Sequence, residues 1–277
     1  MEEKRFAILI DGDNISCDYI KIILDEISTK GIATYKRVYG DWTIPNLSGW
    51  KKASLEYSVT PVQQYSYTSG KNSTDCAMII DAMDILYSDR VDGFCLATSD
   101  SDFTRLASRL RESGMTVIGM GEEKTPRPFV SACDEFKFVD KLAKDAESKN
   151  AVETAAVNVK SAAKPTSKQS GTAKVKTKNA AQTKIEDETS QTDKETLRLA
   201  IESLIKDKAD EEGNMSVSDV GNILSKRYPD FDVRNYGCKR MSQFLESFGC
   251  FSVTKVKDPD NKKCPGAMLA YVKIKKS

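Results

Sequence analysis

Two short apolar runs that end abruptly in carboxylates restrict the folds open to this chain. Residues 6–10 read Phe-Ala-Ile-Leu-Ile and are followed at once by Asp11, while residues 93–97 read Gly-Phe-Cys-Leu-Ala and are followed shortly by Asp100. Uninterrupted apolar runs of this length are typical of strands that are buried on both faces of a parallel sheet. Ligands bind at the carboxyl ends of such strands, so both acids stand where a functional site is expected.

Strand-like and helix-like segments alternate through residues 1–145. Strands are predicted at 5–10, 32–39, 59–65, 93–99 and 115–120, helices at 18–30, 46–57, 74–87 and 103–112, and a short helix near 129–135 with a tail at 136–142. This alternation predicts an α/β fold with a doubly wound parallel sheet. Pro61 favours an edge position for the third strand, and right-handed crossovers bring the ends of the first and fourth strands together.

Several carboxylates fall at predicted strand ends or helix starts, namely Asp11, Asp13, Asp75, Asp100 and Asp102. Carboxylates gathered at one sheet edge repel one another unless their pKa values rise or a cation binds. Oxygen ligands suit Mg²⁺ or Mn²⁺, which activate water and stabilise in-line phosphoryl displacement. The chain has no histidine, so histidine-dependent catalysis is excluded and carboxylates with a metal are the simplest hydrolytic chemistry.

The same aspartates have a structural alternative, because aspartate after a strand often forms a turn or caps a helix. This alternative weighs most for Asp13 and the neighbouring Asn14, and it also applies to Asp75 and Asp102 at the starts of predicted helices. Asp81 lies on a helix face well away from Asp75 at ~100° per residue. Asp84 shares that face, and the pattern favours an exposed or hydrogen-bonded structural pair.

Three motifs occur in order: Ile10-Asp11-Gly12-Asp13-Asn14, then Gly70-Lys71-Asn72-Ser73-Thr74-Asp75 with Asp81 six residues on, and Thr98-Ser99-Asp100-Ser101-Asp102-Phe103. Through them, residues 5–142 resemble the NYN domain, a branch of the PIN-like nucleases. The resemblance implies a PIN-like fold and metal-dependent RNA cleavage, with Mg²⁺ or Mn²⁺ held by the catalytic residues Asp11, Asp75, Asp100 and Asp102. We predict supporting roles for Asp13, Asn14, Asp81 and Ser99, and an RNA contact for Lys71.

Net charge differs along the chain. Residues 1–145 carry 18 basic and 23 acidic side chains, whereas residues 146–192 and 193–277 each have a net charge of +3. An acidic front and a basic back are typical of a cation site joined to a polyanion-binding module. The middle segment is rich in Ala, Lys, Thr and Ser, which predicts a flexible basic linker. It serves either as a solubilising tether or as a weak contact to phosphates.

The seven cysteines are scattered and form no C-x-x-C pair, so neither a zinc site nor a disulfide framework is predicted. Cys76 and Cys95 stand in apolar runs and are expected in the core. The sequence has no signal peptide and no apolar stretch long enough for a membrane span, so a cytoplasmic location is expected.

Residues 193–277 show three amphipathic helix patterns followed by two alternating segments, 250–256 and 267–274, that predict a β-hairpin. Three helices and a hairpin predict a winged helix-turn-helix domain. The motifs Val220-Gly221-Asn222-Ile223-Leu224, Tyr228-Pro229-Asp230-Phe231 and Asn235-Tyr236-Gly237-Cys238 through Phe244-Leu245 resemble the LOTUS (OST-HTH) domain. That resemblance implies binding of RNA or docking of a protein. The candidate phosphate contacts are Lys239, Arg240, Lys255, Lys257, Lys262 and Lys263, although wing lysines also occur simply as a solvated surface.

The leading hypothesis is a metal-dependent endoribonuclease that an RNA-binding module directs to its substrate. A non-catalytic RNA-binding adaptor is the first alternative. A second alternative is a haloacid-dehalogenase-like phosphatase, because Asp11-Gly12-Asp13 resembles the D-x-D motif of that family. The phosphatase hypothesis lacks a clear cap insertion and leaves Asp75 without a role.

Overall fold

The computed structural model of the 277-residue chain describes residues 3–65, 73–146, 191–210, 213–257 and 268–275. Most of the predicted linker therefore lies outside the described residues. The same holds for Lys71, Lys262 and Lys263, so their predicted RNA contacts have no structural counterpart to examine.

A six-stranded parallel sheet forms the centre of the N-terminal part, with strand order β3-β2-β1-β4-β5-β6. Its strands are β1 (Arg5–Asp11), β2 (Ile32–Gly40), β3 (Thr60–Gln63), β4 (Gly93–Ala97), β5 (Thr116–Gly121) and β6 (Glu135–Phe138). The pairing of β1 with β4 brings Ile10 opposite Ala97. The predicted meeting of the first and fourth strands is confirmed, and β3 occupies the edge that Pro61 favours.

Helices cover both faces of this sheet. They are α1 (Ile20–Ser28), α2 (Gly49–Tyr57), α3 (Ser73–Tyr87), α4 (Thr104–Glu112), α5 (Arg127–Ala132) and α6 (139–146). Apolar side chains of α1 and α2 pack on one face, while those of α3, α4 and α5 pack on the other. The doubly wound α/β architecture predicted from the alternation of elements is therefore confirmed.

Two local predictions were wrong. The segment expected to be a tail contains the sixth strand, β6, which the pattern concealed because it has only four residues, of which Phe136 and Phe138 are buried. Cys76 is exposed, whereas Cys95 is buried as expected. The apolar sequence of α3 exceeds what one face can bury, so Cys76 and Ile80 lie on its solvent side.

The described residues of the C-terminal part form three α-helices and a small antiparallel sheet. The helices are α7 (Lys194–Lys208), α8 (Val217–Arg227) and α9 (Met241–Glu246), and the strands β7 (Met215–Ser216), β8 (Phe251–Lys257) and β9 (Met268–Ile274) pair in the order β7-β9-β8. Leu197, Leu224 and Phe244 are fully buried in their shared core. Among the described helices, none combines the length and the apolar character that a membrane span requires.

The two parts meet at the β6 edge of the parallel sheet. The Phe136 N–H donates to the carbonyl oxygen of Pro229 at 2.7 Å, which satisfies a backbone donor on an edge strand. Lys137 Nζ lies 2.5 Å from Asp232 Oδ2, and Arg234 Nη1 lies 2.7 Å from Glu26 Oε1. Asp230 Oδ2 lies 3.4 Å from Arg127 Nη1, and we call Glu26, Asp230 and Asp232 the interface carboxylates.

Candidate metal centre

Local chain geometry delivers four aspartates to the carboxyl edge of the sheet. Asp11 is the last residue of β1, and Asp100 follows β4 as the cap of a single 3₁₀ turn that contains Asp102. Asp75 lies in the first turn of α3. Because β1 and β4 are neighbours in the sheet, the segments that follow them lie side by side. We call Asp11, Asp75, Asp100 and Asp102 the acidic centre.

Three members of the acidic centre converge on one point. Asp75, Asp100 and Asp102 each offer a carboxylate oxygen, and these oxygens all lie within 4.8 Å of one another. Asp75 and Asp100 are half-buried, while Asp102 is exposed. This donor set contains only carboxylate oxygens, which fits a hard divalent cation such as Mg²⁺ or Mn²⁺.

Asp11 lies behind this group and is buried, with 1% of its surface exposed. Its Oδ2 accepts hydrogen bonds from Asn14 Nδ2 at 2.6 Å and from Thr98 Oγ1 at 2.8 Å, and its Oδ1 accepts from the Asp13 N–H at 3.2 Å. Burial raises the pKa of Asp11 above its ordinary value, although the hydrogen bonds from Asn14 and Thr98 oppose the increase. Asn14 therefore orients the Asp11 carboxylate, and Asp13 contributes its backbone.

Thr98 is a site residue that the sequence interpretation missed. Its hydroxyl donates to Asp11 and accepts a hydrogen bond from the Asp100 N–H at 3.1 Å. One fully buried side chain therefore connects the ends of β1 and β4. The available signal was a polar residue placed between an apolar strand and the acids, but its partner is 87 positions away in the chain.

Burial and repulsion among the four carboxylates affect the pKa of Asp75. Burial, followed by the negative charges of Asp11, Asp100 and Asp102, raises the pKa of Asp75 to about 6. Within the described parts of the chain, no lysine or arginine forms an ion pair with Asp11, Asp75 or Asp100. A cation bound from solution would relieve this repulsion and favour the ionised form.

The remaining predicted supporting residues have structural partners. Asp81 accepts hydrogen bonds from the Arg37 guanidinium and the Tyr39 hydroxyl, and so ties α3 to β2. Burial and the hydrogen bond to Asp81 raise the pKa of Tyr39. Ser99 Oγ accepts from the Glu122 N–H at 3.0 Å. This hydrogen bond joins Ser99 to the segment after β5 and not to the acidic centre.

The predicted RNA contacts are only partly described. Lys239 and Arg240 are exposed just before α9, and Lys255 is exposed on β8. Lys257 is the last residue of β8. None of the four lies in the acidic centre, so their proposed role concerns a separate surface.

Comparison with known families gives two matches along the chain. Residues 5–140 match the NYN domain, which belongs to the PIN-like nuclease superfamily. Residues 189–262 match the OST-HTH/LOTUS domain, a type of domain that binds RNA. Both families are those indicated by the sequence motifs.

No curated protein matches the chain. A crystal structure of a protein of unknown function from Vibrio parahaemolyticus is 17% identical, with a TM-score of 0.40, over 49% of this chain and 92% of that chain. The family matches identify the chain as one that carries an NYN domain followed by an OST-HTH/LOTUS domain.

Proposed function

We propose that this chain is a metal-dependent endoribonuclease whose OST-HTH/LOTUS domain binds RNA. The convergence of carboxylate oxygens from Asp75, Asp100 and Asp102 within 4.8 Å carries the proposal. These three residues and Asp11 would hold Mg²⁺ or Mn²⁺. Such an ion, when bound, would supply an activated water and offset the charge that develops on the phosphate during in-line displacement.

The residues of the proposed site have two kinds of role, as metal ligands and as side chains that orient a ligand. Asp75, Asp100 and Asp102 provide the converging oxygens, and Asp11 adds negative charge from its buried position behind them. Thr98 and Asn14 fix the Asp11 carboxylate by hydrogen bonds to the same oxygen, Oδ2. Such contacts around ligands set their orientation and contribute to metal affinity.

RNA binding is assigned to the C-terminal part. Helices α7, α8 and α9 with the β8–β9 hairpin make up a winged helix-turn-helix domain in which the hairpin is the wing. Lys239 and Arg240 just before α9 and Lys255 on the hairpin are exposed, and we assign to them the contacts with phosphates. Lys71, Lys257, Lys262 and Lys263 complete the proposed set. Phosphate contacts of this kind weaken as salt rises.

Cleavage of a single-stranded RNA by the purified full-length chain tests this function. We expect internal cleavage with Mn²⁺ or Mg²⁺ and none in EDTA. Asp100→Asn removes a charged ligand and is expected to lower the rate at least about 100-fold, since metal activation contributes several kcal/mol to transition-state stabilisation. Asp84→Asn is the matched control, because Asp84 is exposed on α3 and lies outside the acidic centre.

Two results would contradict the proposal. One is intact RNA with every divalent cation, and the other is equal cleavage by Asp100→Asn and the unmodified chain. RNA that binds in EDTA and is never cut under any condition would instead support the non-catalytic adaptor.

A further inference from the structure

One short segment of the OST-HTH/LOTUS domain contacts the NYN domain at three places around the sheet edge. Residues 229–234, which we call the docking segment, contact Glu26 of α1 on one face of the parallel sheet and Arg127 of α5 on the other. Between these two contacts, the Phe136 N–H of the edge strand β6 donates to the carbonyl oxygen of residue 229. Contacts on both faces and on the edge between them oppose sliding as well as rotation of the C-terminal domain.

The charges in this contact are complementary in only one orientation. The docking segment carries two carboxylates and then a guanidinium, and each of them faces an opposite charge on the NYN domain. The pairs are Asp230 with Arg127, Asp232 with Lys137, and Arg234 with Glu26. A reversed orientation would bring Arg234 towards Arg127 and leave like charges together. Complementary charges of this kind select one relative orientation of two surfaces.

Several of these polar groups are buried in the contact. Asp230 is 1% exposed and Lys137 is 8% exposed. Asp230 accepts hydrogen bonds from both the N–H and the hydroxyl of Thr192, and the same hydroxyl accepts from the Arg127 guanidinium at 2.9 Å. Buried charges are stable only when they are paired and hydrogen-bonded. The contact meets this requirement with side chains from both domains.

The Phe136 N–H reports whether the two domains are in contact. Strand β6 pairs with β5 along its other side, so this N–H points away from the sheet and would face solvent if the C-terminal domain moved away. Residue 229 is a proline and has no N–H to donate in return. The hydrogen bond therefore depends on the docking segment and not on an added strand.

A cleft of about 420 Å³ between the domains opens at the carboxyl edge of the sheet. Glu123 lines it from the NYN domain and Tyr236 from the other domain. The preceding residue, Glu122, is bonded through its N–H to Ser99, which is next to Asp100 in the acidic centre. Only β5 separates β4 from β6, so the ends of these strands are about 10 Å apart.

The acids between this cleft and the acidic centre have cationic partners. Glu122 Oε2 lies 2.7 Å from Lys124 Nζ, and Glu123 Oε1 lies 3.0 Å from Lys141 Nζ. A polyanion that leaves the cleft along the carboxyl edge therefore meets paired charges before it meets the carboxylates of the acidic centre.

We propose that the OST-HTH/LOTUS domain is docked on the β6 edge of its own chain, so that RNA bound by this domain reaches the acidic centre at one fixed spacing. This inference rests on the proposed function and adds how the position of the cut is set. It differs from the hypothesis of a solubilising tether. With a tether alone, the distance between the bound RNA segment and the cut bond would vary from one molecule to the next.

Amide hydrogen exchange of the full-length chain tests the docking in EDTA and without RNA. In the unmodified chain we expect the Phe136 N–H to be protected. Glu26→Arg places two like charges together at Arg234. We expect Phe136 to exchange at least about tenfold faster in this variant, because its N–H then opens by undocking without unfolding of the NYN domain. The double variant Glu26→Arg/Arg234→Glu reverses the pair and should recover the protection.

Two controls accompany this measurement. Glu56→Arg makes the same change of charge at an exposed position of α2 that is outside the paired residues of the contact, and it should leave Phe136 protected. The amides of Ile8 and Ile10 lie in the central strand β1. They should stay protected in every variant, which separates undocking from unfolding of the NYN domain.

Mapping of cut positions tests the spacing. For several end-labelled single-stranded RNAs, the segment protected from chemical probing is mapped in EDTA, and the cut bond is mapped after addition of Mn²⁺. Protection that is lost in Lys239→Ala is assigned to the OST-HTH/LOTUS domain. We expect one spacing between that segment and the cut in the unmodified chain and in the double variant. Glu26→Arg should cut at scattered positions at a similar total rate.

Four outcomes would overturn the proposal. They are rapid exchange of Phe136 in the unmodified chain, protection that Glu26→Arg leaves unchanged, a spacing that varies in the unmodified chain, and protection that rises with protein concentration. The last outcome would place the domain of a second copy on the β6 edge. Because the exchange measurement needs neither RNA nor metal, cleavage with an unprotected Phe136 rejects only this proposal. A protected Phe136 that responds to Glu26→Arg, without any cleavage, supports the docking and rejects the nuclease.

Discussion

The molecule has two groups of carboxylates with opposite electrostatics. Each interface carboxylate faces a cation: Asp232 faces Lys137, Glu26 faces Arg234, and Asp230 faces Arg127. In the acidic centre, the described contacts give Asp11, Asp75 and Asp100 hydrogen bonds or carboxylate neighbours but no ion pair. Both groups consist of carboxylates, but the neighbouring charges are positive in the first group and negative in the second.

Their pKa values differ accordingly. Although burial alone would raise the pKa of Asp232, hydrogen bonds from Arg234 and the charge of Lys137 lower it well below its ordinary value. For Asp75, burial and neighbouring carboxylates act together and raise the pKa to about 6. The comparison teaches that lysine and arginine side chains neutralise the interface carboxylates. In the acidic centre, where the described contacts give no such ion pair to Asp11, Asp75 or Asp100, a cation from solution is expected to bind.

The largest predicted difference between the two groups is the response to metal. Mn²⁺ at about 100 times its dissociation constant should increase the free energy of unfolding by about 2.7 kcal/mol, because it binds the folded chain only. Thermal unfolding with and without Mn²⁺ measures this. Asp100→Asn should lose the stabilisation, and an equal shift in that variant would break the distinction between the groups.

Removing an interface carboxylate should be the next largest effect. Asp232→Asn leaves Lys137, which is 8% exposed, with Glu135 as its remaining acidic partner. We expect a loss of about 2 kcal/mol in the free energy of unfolding, somewhat below the usual cost of breaking a buried pair. Denaturant unfolding measures the loss, which should be the same with and without Mn²⁺. A metal-dependent loss would contradict the assignment of Asp232 to the interface alone.

Thr98→Val tests the connection behind the acidic centre at nearly constant side-chain volume. When the Thr98 hydroxyl is removed, the Asp11 carboxylate loses one hydrogen-bond donor and the Asp100 N–H loses its acceptor. We expect about tenfold weaker Mn²⁺ binding, since groups that orient ligands typically contribute that much. Calorimetric titration measures it. Thr29→Val is the control, because its exposed hydroxyl bonds only to the Glu26 carbonyl, and equal losses in both variants would reject the role of Thr98.

The smallest predicted effect is an increase in stability on removal of a carboxylate, Asp75, from the acidic centre. Because the pKa of Asp75 in the folded chain, about 6, exceeds the ordinary 3.8, its ionisation destabilises the metal-free fold as pH rises through this interval. Asp75→Asn should therefore stabilise the chain in EDTA at neutral pH. Since the carboxylate is half exposed, solvent screening limits the gain to about 1 kcal/mol. Melting curves at pH 4 and pH 7.5 should show the gain only at the higher pH, and destabilisation at both would contradict the repulsion.

Much of this fold follows from local sequence, and the limits of prediction are local too. The buried strands β1 and β4 are predictable because both faces are covered and their apolar runs end sharply at the acids. Strand β6 is too short for its pattern to stand out. Thr98 and the Lys137–Asp232 pair depend on partners 87 and 95 positions away. A local stretch of sequence does not contain such contacts. The aspartates could therefore be proposed from the sequence, whereas the side chains that contact them could not.

Calorimetric titration of Mn²⁺ into the unmodified chain, Asp100→Asn and Asp232→Asn tests the central claim most directly. The account predicts saturable binding by the unmodified chain and by Asp232→Asn, with binding lost in Asp100→Asn. Absence of binding by the unmodified chain, or equal binding by all three, would contradict the claim that the acidic centre is a metal site.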